Sequence, residues 1–285
     1  MGAIASAVLG GAYLHFSNYF ELLVDKQIDN KLGKVVETIN TTANTTARTT
    51  NEKLDNLGQR VARIEGRFDE RRIQSLSMQP NRKTNATQAL EILNTAKKEG
   101  TKLDPKVITV AGQEFISAGV ASSDPDVWKT GLAFLNYRST ENTVPAATIS
   151  ELTPVDEKQR ERWEARFPVN AKNANFTLTV GKFVPVENAA VFELINNPMN
   201  LGKSRGSEFI QLGGSSGFPG GWKLDGYRMK NVIFKDTEIT YDGGPVDMQN
   251  VFFVNCTFNI VKKPNGKNFA TSVLASLPST FQSEG

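Results

Sequence analysis

Met229-Lys230-Asn231-Val232-Ile233-Phe234-Lys235-Asp236-Thr237-Glu238-Ile239-Thr240-Tyr241 recurs 19 residues later as Met248-Gln249-Asn250-Val251-Phe252-Phe253-Val254-Asn255-Cys256-Thr257-Phe258-Asn259-Ile260. Met, Asn, Val and Phe repeat identically. Asp236 is answered by Asn255, Ile239 by Phe258 and Tyr241 by Ile260. Each copy holds two short strand runs, N-V-x-F and then I/F-x-Y/I, separated by a polar bend. A single unit of this kind cannot bury its apolar face, whereas stacked units share one core. Val232, Phe234 and Ile239 are therefore expected to point inward, above Val251, Phe253 and Phe258. Asn231 over Asn250 would stack side-chain amides at the bend and satisfy turn backbone groups, and Asp236 over Asn255 would extend a second ladder.

The repeated pattern N-V-x-F-x-[DN]-x-x-[IF] resembles the right-handed parallel β-helix of pectate-lyase-like proteins, over roughly residues 175–262. The resemblance implies a solenoid, and its enzymatic members carry Asp/Glu clusters on an outward face. Here the carbohydrate-site candidates are Asp225, Glu238, Asp242 and Asp247, with Lys235 and Arg228 nearby in sequence. None sits in a motif that matches the family residue by residue. Glycoside hydrolysis needs two carboxylates about 5–10 Å apart. Stacked positions lie about 4.8 Å apart, but those following Asp236 and Glu238 are Asn255 and Thr257, so a like-for-like pair is missing and no catalytic role carries over.

Working outward, residues 266–285 read as a capping tail, with Phe269, Val273, Leu274, Leu277 and Phe281 suited to covering an exposed last strand. Upstream, Phe176-Leu178-Val180, Val191 to Ile195 and Phe209 to Leu212 show strand patterning, and a Gly/Ser-rich loop follows from Gly213 to Gly221. The parallel β-helix is thus expected over 170–265. Before it, Asp104-Pro105, Asp124-Pro125 and Thr153-Pro154 each place a cap residue before Pro at a first helical position. They predict a small α-helical module over 84–166, entered by a helix capped at Thr84.

Residues 26–80 read as one long coiled-coil helix. Ile28, Leu32, Val35 and Ile39 recur at spacings of four and three. A Thr-rich tract puts Thr42, Thr46 and Thr49 on the seam. The stripe then resumes at Leu54, Leu57, Val61, Ile64 and Phe68, displaced by one position. Self-association through this seam predicts a homo-oligomer; the competing reading is a helix lying along its own chain.

Residues 1–25 form an apolar N-terminal helix with three readings: a membrane anchor, a helix packing Tyr13, Phe16 and Phe20 on a partner or at an interface, and a myristoylation signal in Met1-Gly2-Ala3-Ile4-Ala5-Ser6. Localisation is accordingly membrane-associated or cytoplasmic.

The whole chain of 285 residues is expected to be α+β and multi-part, with long helix, helical module, β-helix and tail in series. A formal charge of +3, from 33 Lys+Arg against 30 Asp+Glu, implies no nucleic-acid partner. One cysteine, Cys256, excludes an internal disulfide, and one histidine, His15, argues against a Ser-His-Asp triad. No cofactor or metal site is expected. Two functions fit: a non-enzymatic scaffold tethered or oligomerised through its N-terminal helix, with a protein partner on its β-rich surface, and a carbohydrate-binding or carbohydrate-active protein with a glycan there. A cluster of acids and aromatics on one face would favour the second.

Overall fold

A computed structural model describes residues 2–144, 152–156, 158, 177–181, 189–195, 208–213 and 221–284. The chain forms two compact units, residues 1–63 and 64–285.

The first unit is helical. Helix α1 runs Gly2–Ser77 and so enters the second unit. The side chains of residues 1–25, including Tyr13, Phe16 and Phe20, lie outside the described set. Among the described residues no helix is long and apolar enough to cross a membrane. The apolar run expected as a membrane anchor is interrupted by His15, Ser17, Asn18 and Glu21. The Thr tract is helical, and its hydroxyls bond back to the helix's own carbonyls. Thr38 donates to Lys34 O at 2.7 Å, Thr41 to Glu37 O at 2.8 Å, Thr45 to Thr41 O at 2.7 Å and Thr49 to Thr45 O at 2.9 Å.

In the second unit, the last turns of α1 meet α2 (Lys83–Glu99), α3 (Pro105–Ala121) and α4 (Pro125–Glu141). Asp104 and Asp124 cap α3 and α4, accepting from the Lys106 and Asp126 amides at 2.7 and 2.9 Å. Helix α2 begins at Lys83, and its N-cap Arg82 makes no side-chain cap bond. A Cβ on Gly131 would stand 2.9 Å from Ile116 N, so glycine there lets α3 and α4 approach closely. Ile73, Leu93, Ile108, Phe115 and Phe134 form the helical core. Thr153–Pro154 is not a helix start but strand β1, paired antiparallel with β2 (Thr177–Val180). Its expected helical continuation through Trp163 and Arg166 lies outside the described residues, as do Phe176 and 214–220 of the Gly/Ser loop.

The strands β3 (Val191–Leu194), β4 (Ile210–Gly213), β5 (Trp222–Lys223), β6 (Tyr227–Lys235), β7 (Glu238–Tyr241), β8 (Val246–Val254), β9 (Thr257–Ile260) and β10 (Ser279–Ser283) build two sheets. One is mixed and seven-stranded, in the order β1-β2-β4-β6-β8-β10 with β3 also on β6. The other is parallel, β5-β7-β9. The 19-residue offset is the register of both parallel pairs: Val232 faces Val251, Phe234 faces Phe253 and Ile239 faces Phe258. Each of these six is at least 94% buried. The rings of Phe234 and Phe253 stack at 5.5 Å. Asn250 Nδ2 donates to Asn231 Oδ1, and Asn255 Nδ2 to Asp236 Oδ1, both at 2.7 Å.

These two copies do not make a solenoid, which corrects the parallel β-helix expected over 170–265. Among the described residues the parallel stacking is three strands deep in each sheet and is closed on its flanks. On one sheet β10 pairs antiparallel with β8, occupying the edge where another parallel strand would add. On the other, α4 runs along the last copy. Asn136 Oδ1 accepts from Phe258 N at 2.8 Å, Ser139 O from Asn255 N at 2.9 Å, and Trp128 Nε1 donates to Ile260 O at 3.0 Å. Upstream, β2 pairs antiparallel with β4 and β3 with β6. A 19-residue pattern specifies the pairing of neighbours; it does not specify what covers the outer strands. Helix α5 (Pro264–Ala275) then seals the interior, with Phe269 against Tyr241, Phe253 and Phe258.

The described non-glycine residues with positive φ are Asn231, Asp236, Asn250 and Asn255, at 55°, 52°, 55° and 49°. Asn and Asp enter this region more readily than other non-glycine residues. Asn250→Gly should therefore lose only the ladder hydrogen bond, about 1 kcal/mol. Asn250→Val should lose that bond and a further ~1–3 kcal/mol of backbone strain. Urea unfolding of the two variants checks the order; equal stability would show that backbone conformation is not what selects Asn.

Candidate functional site

The four carboxylates singled out for carbohydrate chemistry do not converge as a set. Asp225 organises the turn after β7: its Oδ2 accepts from Asp242 N at 2.9 Å and its Oδ1 from Gly244 N at 2.5 Å. Asp242 pairs with Lys223 at 2.7 Å, and that bond raises the Lys223 ammonium above its ordinary value. Asp247 accepts from Arg228 Nε at 3.0 Å. Glu238 is half-buried on β7. Three of the four thus serve local structure.

Strand register produces a charge ladder that motif reading missed. Glu193, Arg228 and Asp247 are direct cross-strand neighbours on β3, β6 and β8. Arg228 reaches Glu193 Oε1 at 3.3 Å and Asp247 Oδ2 at 3.0 Å. The Asp247 hydrogen bond is the main cause that holds the Arg228 guanidinium above its usual value. Glu193 is buried, and its Oε2 has no hydrogen-bond partner among the described residues. One guanidinium between two carboxylates offsets one of their two charges and engages both in ion pairs, so neither stands as a free general acid or base. No signal in the linear sequence marks Glu193, because its pairing depends on strands 35 and 54 positions apart. Among the described residues no group of three or more metal-ligating side chains is present. Burial pushes the Cys256 thiol up to about 12, so it is a packed side chain with almost no thiolate at neutral pH.

The seam of α1 is placed quite differently. Leu32, Val35, Val36, Ile39, Leu54, Leu57, Val61, Ile64 and Phe68 are all exposed, from 45% at Val61 to 62% at Leu32. Leu32 and Phe68 stand 36 positions apart, about ten turns at 3.6 residues per turn. Five strict heptads would be 35 positions, so the one-residue displacement matches a period of 3.6 residues, not 3.5. On such a helix the line from Ile39 to Leu54 passes over Ala43, Thr46 and Thr50, while Thr42 and Thr49 fall to its side. That shifts two of the three Thr positions expected from heptads.

Within the second unit, α1 docks by a different face. Ile73 and Gly66 are buried, a Cβ on Gly66 would stand 3.5 Å from Thr101 Cγ2, and Glu70 Oε1 accepts from Asp104 N at 2.9 Å. At about 100° per residue, Gly66 and Ile73 lie roughly 140–160° around the helix from Phe68. Ile64 and Phe68 therefore face away from the chain's own helical core. Docking through the seam, the competing reading, is not what residues 64–77 do.

No protein-family model, curated protein or solved structure matches the chain.

If the carboxylates are structural, their substitutions should separate by hydrogen-bond count. Asp225→Ala strands two backbone amides and should cost about 1–3 kcal/mol. Glu238→Gln should stay within about 0.5 kcal/mol of the parent. Chemical denaturation reads both, and the reverse order would place an unrecognised role at Glu238.

Proposed function

We propose that this chain is a non-enzymatic scaffold that self-associates through α1 and presents its β-rich unit as a rigid surface. The observation that carries this reading is the exposed apolar stripe from Leu32 to Phe68 on α1, whose last turns within the second unit pack Ile73 by another face. An isolated helix gains little in water from propensity alone; most helical stability comes from packing an apolar face. Nine exposed large aliphatic or aromatic side chains in one line are the face that a further helix would cover. The engaged carboxylates Asp225, Asp242 and Asp247 favour a structural role over glycan chemistry.

The apolar run 2–24 fits a tether lying at a membrane interface, with Gly10-Gly11 and its polar residues keeping it from full insertion. Full-length protein should float with anionic vesicles, while a chain beginning at Lys26 should stay at the bottom of the gradient. Equal behaviour of the two would remove the tether.

Full-length protein should sediment as an oligomer, and Val61→Asp with Ile64→Asp should dissociate it. Losing two buried side chains removes at least about 3 kcal/mol of apolar burial, roughly a hundredfold in dissociation constant. A parent chain that stays monomeric at high concentration would overturn the scaffold reading.

A further inference from the structure

The sequence holds one Asn-Gly pair, Asn265-Gly266, and the fold demands both of its members. Asn265 Nδ2 donates to Gly243 O at 3.0 Å, which ties the first turn of α5 to the turn after β7. Gly266 is buried, and a Cβ there would collide with Val261 O and stand 3.0 Å from Ile260 Cγ2. Packing thus sets side by side the two residues whose linkage loses ammonia most readily, because glycine leaves the attacking amide nitrogen unhindered.

The folded helix opposes that reaction. Ring closure needs Asn265 to turn to an extended ψ, so that Gly266 N can approach its Cγ, whereas helical ψ is about −42°. Protection lasts only while the first turn stays helical, and that turn is weakly held. Its N-cap residue, Lys263, makes no side-chain cap bond, and no acidic residue lies in the turn to meet the helix dipole. The amides of a first turn have no acceptor within their own helix. Lys263 and Pro264 are exposed. The ties are the Asn265 bond to Gly243 O and the bond from Lys267 N to Lys263 O at 2.9 Å. Helix ends of this kind open at a free energy well below that of global unfolding.

We infer that Asn265 is a modification site, converted to aspartate or isoaspartate in the folded protein whenever the first turn of α5 frays. Hydroxide takes the Gly266 amide proton, and the nitrogen attacks Asn265 Cγ. A Cγ–N bond forms, the Cγ–Nδ2 bond breaks, and Nδ2 leaves as ammonia with a proton drawn from water. Water then opens the five-membered imide at either carbonyl. Nothing is oxidised or reduced, and the conversion runs one way. The product has lost the Nδ2 donor and sets a carboxylate against Gly243 O, while isoaspartate also lengthens the backbone of the turn by one carbon. The helix loosened in this way is the one that seals Phe269 against Tyr241, Phe253 and Phe258.

Incubation of the full-length protein at mildly alkaline pH, followed by peptide mass spectrometry, reads the change of amide to acid at Asn265. Conversion should be seen in the folded protein, more slowly than in the urea-unfolded chain. Its rate should not change with urea well below the unfolding transition, since fraying of one turn exposes little surface. Lys263→Asp supplies the missing cap and should slow conversion about fivefold. An intact Asn265 in the folded protein, after the unfolded chain has fully converted, would overturn the inference. So would a rate that climbs with urea in step with global unfolding, or one that Lys263→Asp leaves unchanged.

Discussion

The second unit depends on the backbone bends held by Asn231, Asp236, Asn250 and Asn255. Each takes a left-handed conformation. Stacking then joins them in pairs, Asn250 to Asn231 and Asn255 to Asp236, at 2.7 Å. The bends at Asp236 and Asn255 turn the chain from β6 and β8 of the seven-stranded sheet to β7 and β9 of the three-stranded one, while Asn231 and Asn250 bend β6 and β8 within their own sheet. The ladders hold successive turns in a single register, so that Val232, Phe234 and Ile239 stand over Val251, Phe253 and Phe258. A slip of one residue would send all six to the wrong face. The polar bends therefore dictate the apolar interior.

With the register set, the remaining problem is the exposed edges. An unpaired edge is a template for association with other chains. Strand β10 covers β8, and α4 offers Asn136, Ser139 and Trp128 to the backbone of the last copy. Asn142 Nδ2 adds a bond to Phe253 O at 3.0 Å, and Ser139 Oγ accepts from Cys256 N at 2.8 Å. A helix that binds strand edges through side chains must be held at a fixed height. The close approach of α3 and α4 at Gly131 and Gly119 serves that end. Helical module and sheets are one construction, sharing Ile116, Trp128 and Leu135 with the β-rich core.

The covered edges bear on the proposed role. With β8 covered by β10 and β9 by α4, the longest run of exposed large apolar side chains among the described residues is the stripe on α1, the face that the proposed self-association would use. The residues of that face recur with a period of 3.6, not 3.5. Its Thr tract carries no unsatisfied hydroxyl at Thr38, Thr41, Thr45 or Thr49, whose side chains bond back to their own helix.

Short-range features were legible in the sequence. The 19-residue recurrence defines a parallel register because period-two alternation and the φ preference of Asn and Asp act within a dozen residues. Asp-Pro marked the starts of α3 and α4 because cap and first-turn geometry are local. The stripe of α1 was visible for the same reason. Tertiary structure alone decided that the repeat is not a solenoid. The groups that close it, Ser139 on Asn255 and Trp128 on Ile260, are more than a hundred positions apart in the chain. It also decided that Thr153-Pro154 pairs as a strand, and that Glu193 meets Arg228 across β3 and β6. Local propensity cannot carry such contacts, because what covers a strand edge or neutralises a buried charge depends on which distant segment arrives there.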